Sequence, residues 1–223
     1  MEYSVIIAAG GSGTRMKSDV PKQFIEVFGK PVIFYSIEKF LNFSSQIRII
    51  VVLPQNMIDL WKSYCEKFYF FDKIEVAIGG KTRFHSVFNG VQMLNDNGVV
   101  AIHDAARPLV SVDTIKKALE VASSIGNAVP AISINDSLRI VENSYNFRID
   151  REKIKIIQTP QCFSIDVIKR AYQQPYNEFF TDDASVVENM GIKINLIEGN
   201  RENFKVTTES DIKLLKYYLS MQD

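Results

Sequence analysis

Short apolar runs of strand length alternate along this chain with stretches whose hydrophobic residues recur at helical spacing, and this rhythm narrows the possible folds more than any other feature. Residues 5–7, 48–53 (RIIVVL), 74–78, 99–102 and 128–132 read as strands. Residues 32–41, 54–70, 84–94 and 112–125 read as helices between them. In residues 54–70, Met57, Trp61, Tyr64 and Phe68 share one helical face, so these aromatics are expected in the core. The alternation predicts an α/β fold: a Rossmann-like, mostly parallel twisted sheet with helices on both faces, whose ligands collect at the C-terminal ends of the strands.

Three marked sequences fall at such ends: the loop after residue 7, Gly79-Gly80, and His103 to Arg107. The first is the richest. Its strand (Val5, Ile6, Ile7) gives way to Gly10, Gly11 and Gly13, followed by Arg15, Lys17 and Lys22. Glycine tolerates positive φ and has no Cβ, so successive backbone N–H groups can converge on an anion, and Arg or Lys adds full charge to those partial ones. This suits a phosphate site. The loop is not a P-loop, because neither Gly10 nor any later glycine opens the full G-x-x-x-x-G-K-[ST] pattern, and Met16 stands where the dinucleotide fingerprint needs its third glycine. The strand ending Val51-Val52-Leu53-Pro54 also lacks the acidic residue that holds a ribose, which disfavours nicotinamide chemistry.

Charge excludes other classes. Lys+Arg and Asp+Glu are 26 each, so no global field draws the chain to nucleic acid or a membrane surface, and any anion site must be built locally. The two cysteines, Cys65 and Cys162, are far apart and form no C-x-x-C or Cys/His cluster, which fits a reducing, cytoplasmic setting. No signal peptide or transmembrane run is apparent. With 46% hydrophobic content in 223 residues, a single domain spanning 1–223 is expected.

Between residues 134 and 158 the rhythm changes to period two around Glu142-Asn143-Ser144, predicting a protruding β-hairpin arm outside the main sheet. A lone hairpin is marginal in water, so a second subunit is a candidate surface for it. The final third reads as a helix over 165–173, a helix capped by Thr181 or Asp182 and stopped at Gly191, a strand over 192–197, and a last helix opened by Thr208-x-x-Asp211.

The strings AGGSGTRM and PKQF, GGKTRFHSVFNGV, HDAARP, DR followed by QTPQ, TDDAS and NFKVTTESD occur in that order, and together they resemble the 2-C-methyl-D-erythritol 4-phosphate cytidylyltransferases of isoprenoid precursor biosynthesis over nearly the whole chain. The resemblance implies transfer of a cytidylyl group from CTP to a polyol phosphate, with pyrophosphate leaving. It implies Arg15, Lys22 and Lys205 as catalytic cations. It places the nucleotide on Ala9, Gly10, Gly11, Gly13, Gly80, Arg83 and Ser86, and the acceptor on Asp104, Ala105, Arg107, Ser137, Arg151, Thr159 and Thr181. It also implies Mg2+ carried mainly on the CTP phosphates, with no protein metal site, and a homodimer in which the arm offers Arg151 to the other subunit. The Ala-Gly-Gly spelling also occurs in related ribitol-5-phosphate cytidylyltransferases, whereas Ala106 and TDDAS favour the methylerythritol acceptor. A catalytically silent nucleotide-binding protein on the same scaffold is the alternative from another class.

The chemistry of the residues agrees with the resemblance. A phosphate monoester, with its second pKa near ~6, is already largely dianionic at neutral pH and needs no general base. The two histidines, His85 and His103, form no nucleophile triad, and His103 is expected to orient its loop. Structural readings stand beside the functional ones: Arg107 pairing with Asp104, Lys205 as a strand-edge charge, and Asp182 and Asp183 as helix-capping charges.

Overall fold

The computed structural model describes residues 2–10, 21–68 and 74–221. In chain order these form β1 (Tyr3–Ala8), β2 (Glu26–Val27), β3 (Lys30–Pro31), α1 (Val32–Phe43), β4 (Arg48–Leu53), α2 (Ile58–Lys67), β5 (Ile74–Ile78), α3 (Arg83–Val91), β6 (Val99–Asp104) and α4 (Val112–Ile125). There follow β7 (Asn127–Ser133), β8 (Arg139–Glu142), β9 (Tyr145–Arg148), β10 (Lys155–Ile157), β11 (Gln161–Ser164), α5 (Ile165–Ala171), α6 (Asp183–Glu188), β12 (Leu196–Glu198) and α7 (Glu209–Ser220).

An eight-stranded sheet runs β10-β7-β11-β6-β1-β4-β5, with β12 on the other edge of β7. β1 pairs in parallel with β4 and β6, β4 with β5, and β7 with β12; only β10 and β11 run the other way. From β1 the chain moves outward through β4 and β5, then returns to lay β6 on the opposite side of β1. The C-terminal ends of β1 and β6 therefore border the crevice where such sheets bind ligands.

Both sheet faces are buried, which explains the unbroken apolar runs. Val5, Ile7, Ile49, Val51 and Leu53 pack on one face under Phe34, Ile37 and Phe40 of α1, Trp61 of α2, and Ile115 and Leu119 of α4. Ile6, Ile50, Val52, Val100 and Ile102 pack on the other under α3, α5 and α6. Trp61 lies edge-on to Phe34 at 5.5 Å between ring centroids, as expected of a core aromatic; truncating a residue of this kind to Ala typically costs about 3–5 kcal/mol. A smaller cluster (Val27, Val32, Ala106, Leu109, Val206, Leu215, Leu219) seats α7 against β2 and the start of α1 beside the crevice.

Ser111 and Thr114 open α4, and Gly126 ends it at φ 93. Asp182 and Thr208 both form capping boxes, at the starts of α6 and α7.

Three expectations are corrected, and one strand had not been anticipated. Residues 54–70 are not one α-helix: a 3-10 turn at Gln55–Met57 precedes α2. The expected arm of 134–158 divides, because β8 and β9 form the hairpin whereas β10 joins the main sheet antiparallel to β7. β11, over residues to which the sequence pattern assigned no element, inserts antiparallel between β6 and β7. The strand expected over 192–197 forms only at its end, as β12, because the Asn127 side chain takes the backbone instead: its Nδ2 donates to the Lys193 carbonyl at 3.0 Å and its Oδ1 accepts from the Asn195 N–H at 2.8 Å.

Candidate active site

A cavity of about 300 Å³ opens at the C-terminal ends of β1 and β6. It is lined by Ala8, Ala9 and Gly10 at the end of β1 and by Asp104, Ala105 and Ala106 at the end of β6. Its cations come from Lys22, Lys81, Arg83 and Lys205. Among the described residues lining it, Asp104 is the sole carboxylate.

Asp104 organises those charges. Its Oδ2 lies 2.8 Å from Lys205 Nζ and 3.3 Å from Arg107 Nε, and its Oδ1 lies 3.6 Å from Arg83 Nε. Burial alone would raise its pKa, but the three cations outweigh burial and hold the carboxyl well below the usual carboxylate range. It is an anion at any physiological pH. Its backbone N–H donates to Thr159 Oγ1 at 3.0 Å.

The Thr159 hydroxyl also meets His103 Nδ1 at 3.1 Å, while His103 Nε2 meets the Arg107 carbonyl at 3.1 Å. Since the Thr159 oxygen already accepts from Asp104, its hydrogen goes to Nδ1, and these partners assign the ring proton to Nε2. Burial lowers the His103 pKa to about 4. A neutral, wholly buried imidazole with both nitrogens engaged is no general base for a ligand in the cavity. It orients the 103–107 loop.

Close packing defines the opposite wall. Ser86 Oγ accepts from the Gly80 N–H at 3.0 Å and donates to the Thr82 carbonyl at 2.9 Å. A Cβ on Gly10 would stand 2.7 Å from Ser86 Oγ, and one on Gly80 would stand 2.4 Å from His85 Cβ, so neither position accepts a side chain without movement. Thr82 caps α3 by accepting the His85 N–H, which aims the start of that helix at the cavity. On the first wall, Gln23 Nε2 donates to the Ala9 carbonyl at 2.7 Å and pins the chain where it enters the glycine stretch.

The structure thus brings together around one cavity Ala9, Gly10, Lys22, Arg83, Ser86, Asp104, Ala105 and Lys205 from the sequence-derived set, with Gly80 just behind Ser86. Arg107 is only 12% exposed, paired with Asp104 and donating to the Asn203 carbonyl at 2.7 Å. Thr159 is buried beneath Asp104. Ser137, Arg151 and Thr181 are exposed and do not line the cavity. Gly11, Gly13 and Arg15 lie outside the described residues.

Gln23, Lys81 and Thr82 line the cavity without having been singled out. The signal for Thr82 was present as a capping residue ahead of a helical stretch. Asp183, read as a capping charge, is instead the buried partner of Arg83.

Comparison with known proteins adds to this geometry. The model of the family described as IspD, 2-C-methyl-D-erythritol 4-phosphate cytidylyltransferase, matches residues 3–221. The chain is 44% identical over 214 residues to the protein of that name from Bacteroides thetaiotaomicron, covering 96% of this chain and 98% of the relative. It is 45% identical over 211 residues to the one from Bacteroides fragilis, covering 95% and 96%. A crystal structure of 4-diphosphocytidyl-2C-methyl-D-erythritol synthase from Anaerococcus prevotii superposes with a TM-score of 0.82 at 28% identity, covering 98% of each chain.

Proposed function

This chain belongs to the 2-C-methyl-D-erythritol 4-phosphate cytidylyltransferase family, and we propose that its cavity joins CTP to that acceptor, giving 4-diphosphocytidyl-2-C-methyl-D-erythritol and pyrophosphate. The observation that carries the reading is the cation-lined crevice at β1 and β6, where Lys22 and Lys205 face one cavity from distant parts of the chain.

In this reaction an oxygen of the acceptor phosphate attacks the α-phosphorus of CTP. A new P–O bond forms, the bond to the bridging oxygen of the β-phosphate breaks, and that oxygen carries its electron pair away with pyrophosphate. The nucleophile is already an anion, so what the protein supplies is alignment and positive charge. Lys205 faces the α-phosphate, Lys22 with Arg15 meets the charge growing on phosphorus and leaving group, and Gly10, Gly80 and Ser86 serve the nucleotide, leaving Asp104 and Ala105 toward the acceptor.

Magnesium enters on the nucleotide. Asp104, the sole carboxylate among the described lining residues, already faces three cations, so the donor set fits a metal carried mainly by phosphates. When bound, it neutralises charge on the leaving pyrophosphate.

We also read residues 1–223 as one catalytic unit that works as a cytoplasmic homodimer. Supporting this, β8 and β9 pair only with each other among the described residues, and Val141, Tyr145 and Phe147 on them are exposed. No described helix is long and apolar enough to cross a membrane.

The test is pyrophosphate release with CTP and magnesium, offering methylerythritol phosphate and ribitol 5-phosphate in parallel. Turnover with the former is expected. Preference for ribitol phosphate would reassign the acceptor, and release with neither would overturn the reading.

A further inference from the structure

Arg83 does not point its guanidinium freely into the cavity. Its Nη1 and Nη2 donate to the two oxygens of Asp183 at 2.8 and 2.6 Å, in the two-pronged geometry that a guanidinium makes with a carboxylate. Asp183 is wholly buried on α6, and its Oδ1 also accepts from the Tyr172 hydroxyl at 2.5 Å. Burial, followed by the neighbouring Asp183 carboxylate, pushes the Tyr172 phenol well above its ordinary pKa, so it remains a donor. With both terminal nitrogens occupied, the direction of the remaining Nε is determined, and it faces Asp104 Oδ1 at 3.6 Å. The other Asp104 oxygen holds Lys205. A chain of hydrogen bonds and ion pairs therefore runs from Tyr172 in the core through Asp183, Arg83 and Asp104 to Lys205 at the cavity.

We propose that Asp183 is a positioning residue: by locking Arg83 against α6 it fixes the Asp104 carboxylate, and through it the place of Lys205 in the cavity. Arg83, on this account, is a bridge between two carboxylates before it is a ligand for nucleotide. Without the Asp183 charge, the guanidinium is released from α6 and turns its terminal nitrogens toward Asp104, the nearest remaining anion, in competition with Lys205, so that Nε no longer faces that carboxylate. The inference rests on the proposed function for its kinetic consequence and on geometry alone for its structural one.

Asp183→Asn preserves shape and removes the charge. If Lys205 acts on the α-phosphate, the variant loses kcat by about 10- to 100-fold, with KM for CTP and acceptor changed less than about threefold, because small misplacements of a charge cost turnover before binding. In an Arg83→Gln background the same substitution should cause no further loss of kcat. A purely structural Asp183 would lower the melting temperature and leave kcat of the folded fraction intact, or would multiply the Arg83→Gln loss; either result overturns the proposal.

A second readout does not depend on activity. In enzyme labelled with 15N-arginine, the Arg83 Nε–H resonance, identified by its absence in Arg83→Lys, should exchange slowly with solvent and lose that protection in Asp183→Asn. Persistence of the protected signal would overturn the proposal whether or not the protein turns over CTP. Should Asp183→Asn fail to fold, Tyr172→Phe weakens the same link. It should lower kcat by about threefold and speed Nε–H exchange, whereas no change in either would count against the chain.

Discussion

Lys205 Nζ lies 2.8 Å from Asp104 Oδ2, so a cation from the C-terminal segment is held in the cavity by a carboxylate at the end of a central strand. Phe204 and Val206 pack into the cluster beneath α7, and the Val206 N–H donates to the Ala106 carbonyl at 2.8 Å, so Lys205 between them extends toward the cavity.

The two ends of that pair should respond differently. Lys205→Ala removes a half-exposed cation and should cost at most about 1 kcal/mol of stability while lowering kcat on the order of 10²–10³. Asp104→Asn leaves Arg83, Arg107 and Lys205 crowded around a neutral group and should destabilise by about 3 kcal/mol or more. Denaturant midpoints and pyrophosphate release on both variants check this contrast; near-normal turnover of Lys205→Ala would remove its assigned role.

His103 makes stability fall in mild acid. Its folded pKa is lowered from 6.5 to about 4, chiefly by burial, so above pH 6.5 the ring is neutral in both states. As pH drops from 6.5 toward 4 the unfolded chain binds a proton that the folded protein does not, and stability on the order of 3 kcal/mol is lost across that window. Asp104 does not contribute there, because a depressed carboxylate loses its stabilising effect only below its unfolded value of 3.8. His103→Gln keeps a donor for the Arg107 carbonyl and does not titrate. Its urea midpoint should fall less than the wild-type midpoint between pH 7.5 and 4.5, and equal falls would contradict the assignment.

Gly10 and Ser86 should be energetically coupled. A Cβ on Gly10 would stand 2.7 Å from Ser86 Oγ, the atom that holds the Gly80 N–H. Gly10→Ala should therefore weaken CTP binding about tenfold, roughly 1.4 kcal/mol, and do so much less when Ser86 is already Ala. Calorimetric titration of CTP onto the four members of the cycle measures the coupling; additive losses would mean that the contact is not the cause.

Arg151 tests the proposed dimer. It is exposed beside the arm, bonded to the Asn135 carbonyl and 3.7 Å from Glu152, and it does not line its own protomer's cavity. If it serves the neighbouring subunit, mixing Arg151→Ala with Lys22→Ala protein should regain activity that neither has alone. No recovery after subunit exchange, verified by native mass spectrometry, would remove the shared site.

Much of the fold was legible because its signals are local. Both-face burial turns β1, β4 and β6 into continuous apolar runs, and caps at Gly126, Asp182 and Thr208 announce helix ends. β11 left no such trace, since Gln161–Ser164 is four residues of mixed polarity that become strand only because β6 and β7 flank them. β12 was overcalled because nothing in the sequence around Ile192 shows that Asn127 will take the backbone partners a strand would need.

The site divides in the same way. The ordered strings from AGGSGTRM to NFKVTTESD determined the family, the loops at the strand ends and the identity of the cations, because those depend on residue type and position along the chain. Only the tertiary structure decided which cation rests on which carboxylate. Asp183 looked like a cap and is the buried anchor of Arg83, and of the two readings of Arg107, acceptor contact or partner of Asp104, the structure forms the ion pair with Asp104. The reason is physical: the strength and direction of a charge pair depend on distance and on exclusion of water, and neither exists until strands far apart in sequence are laid side by side.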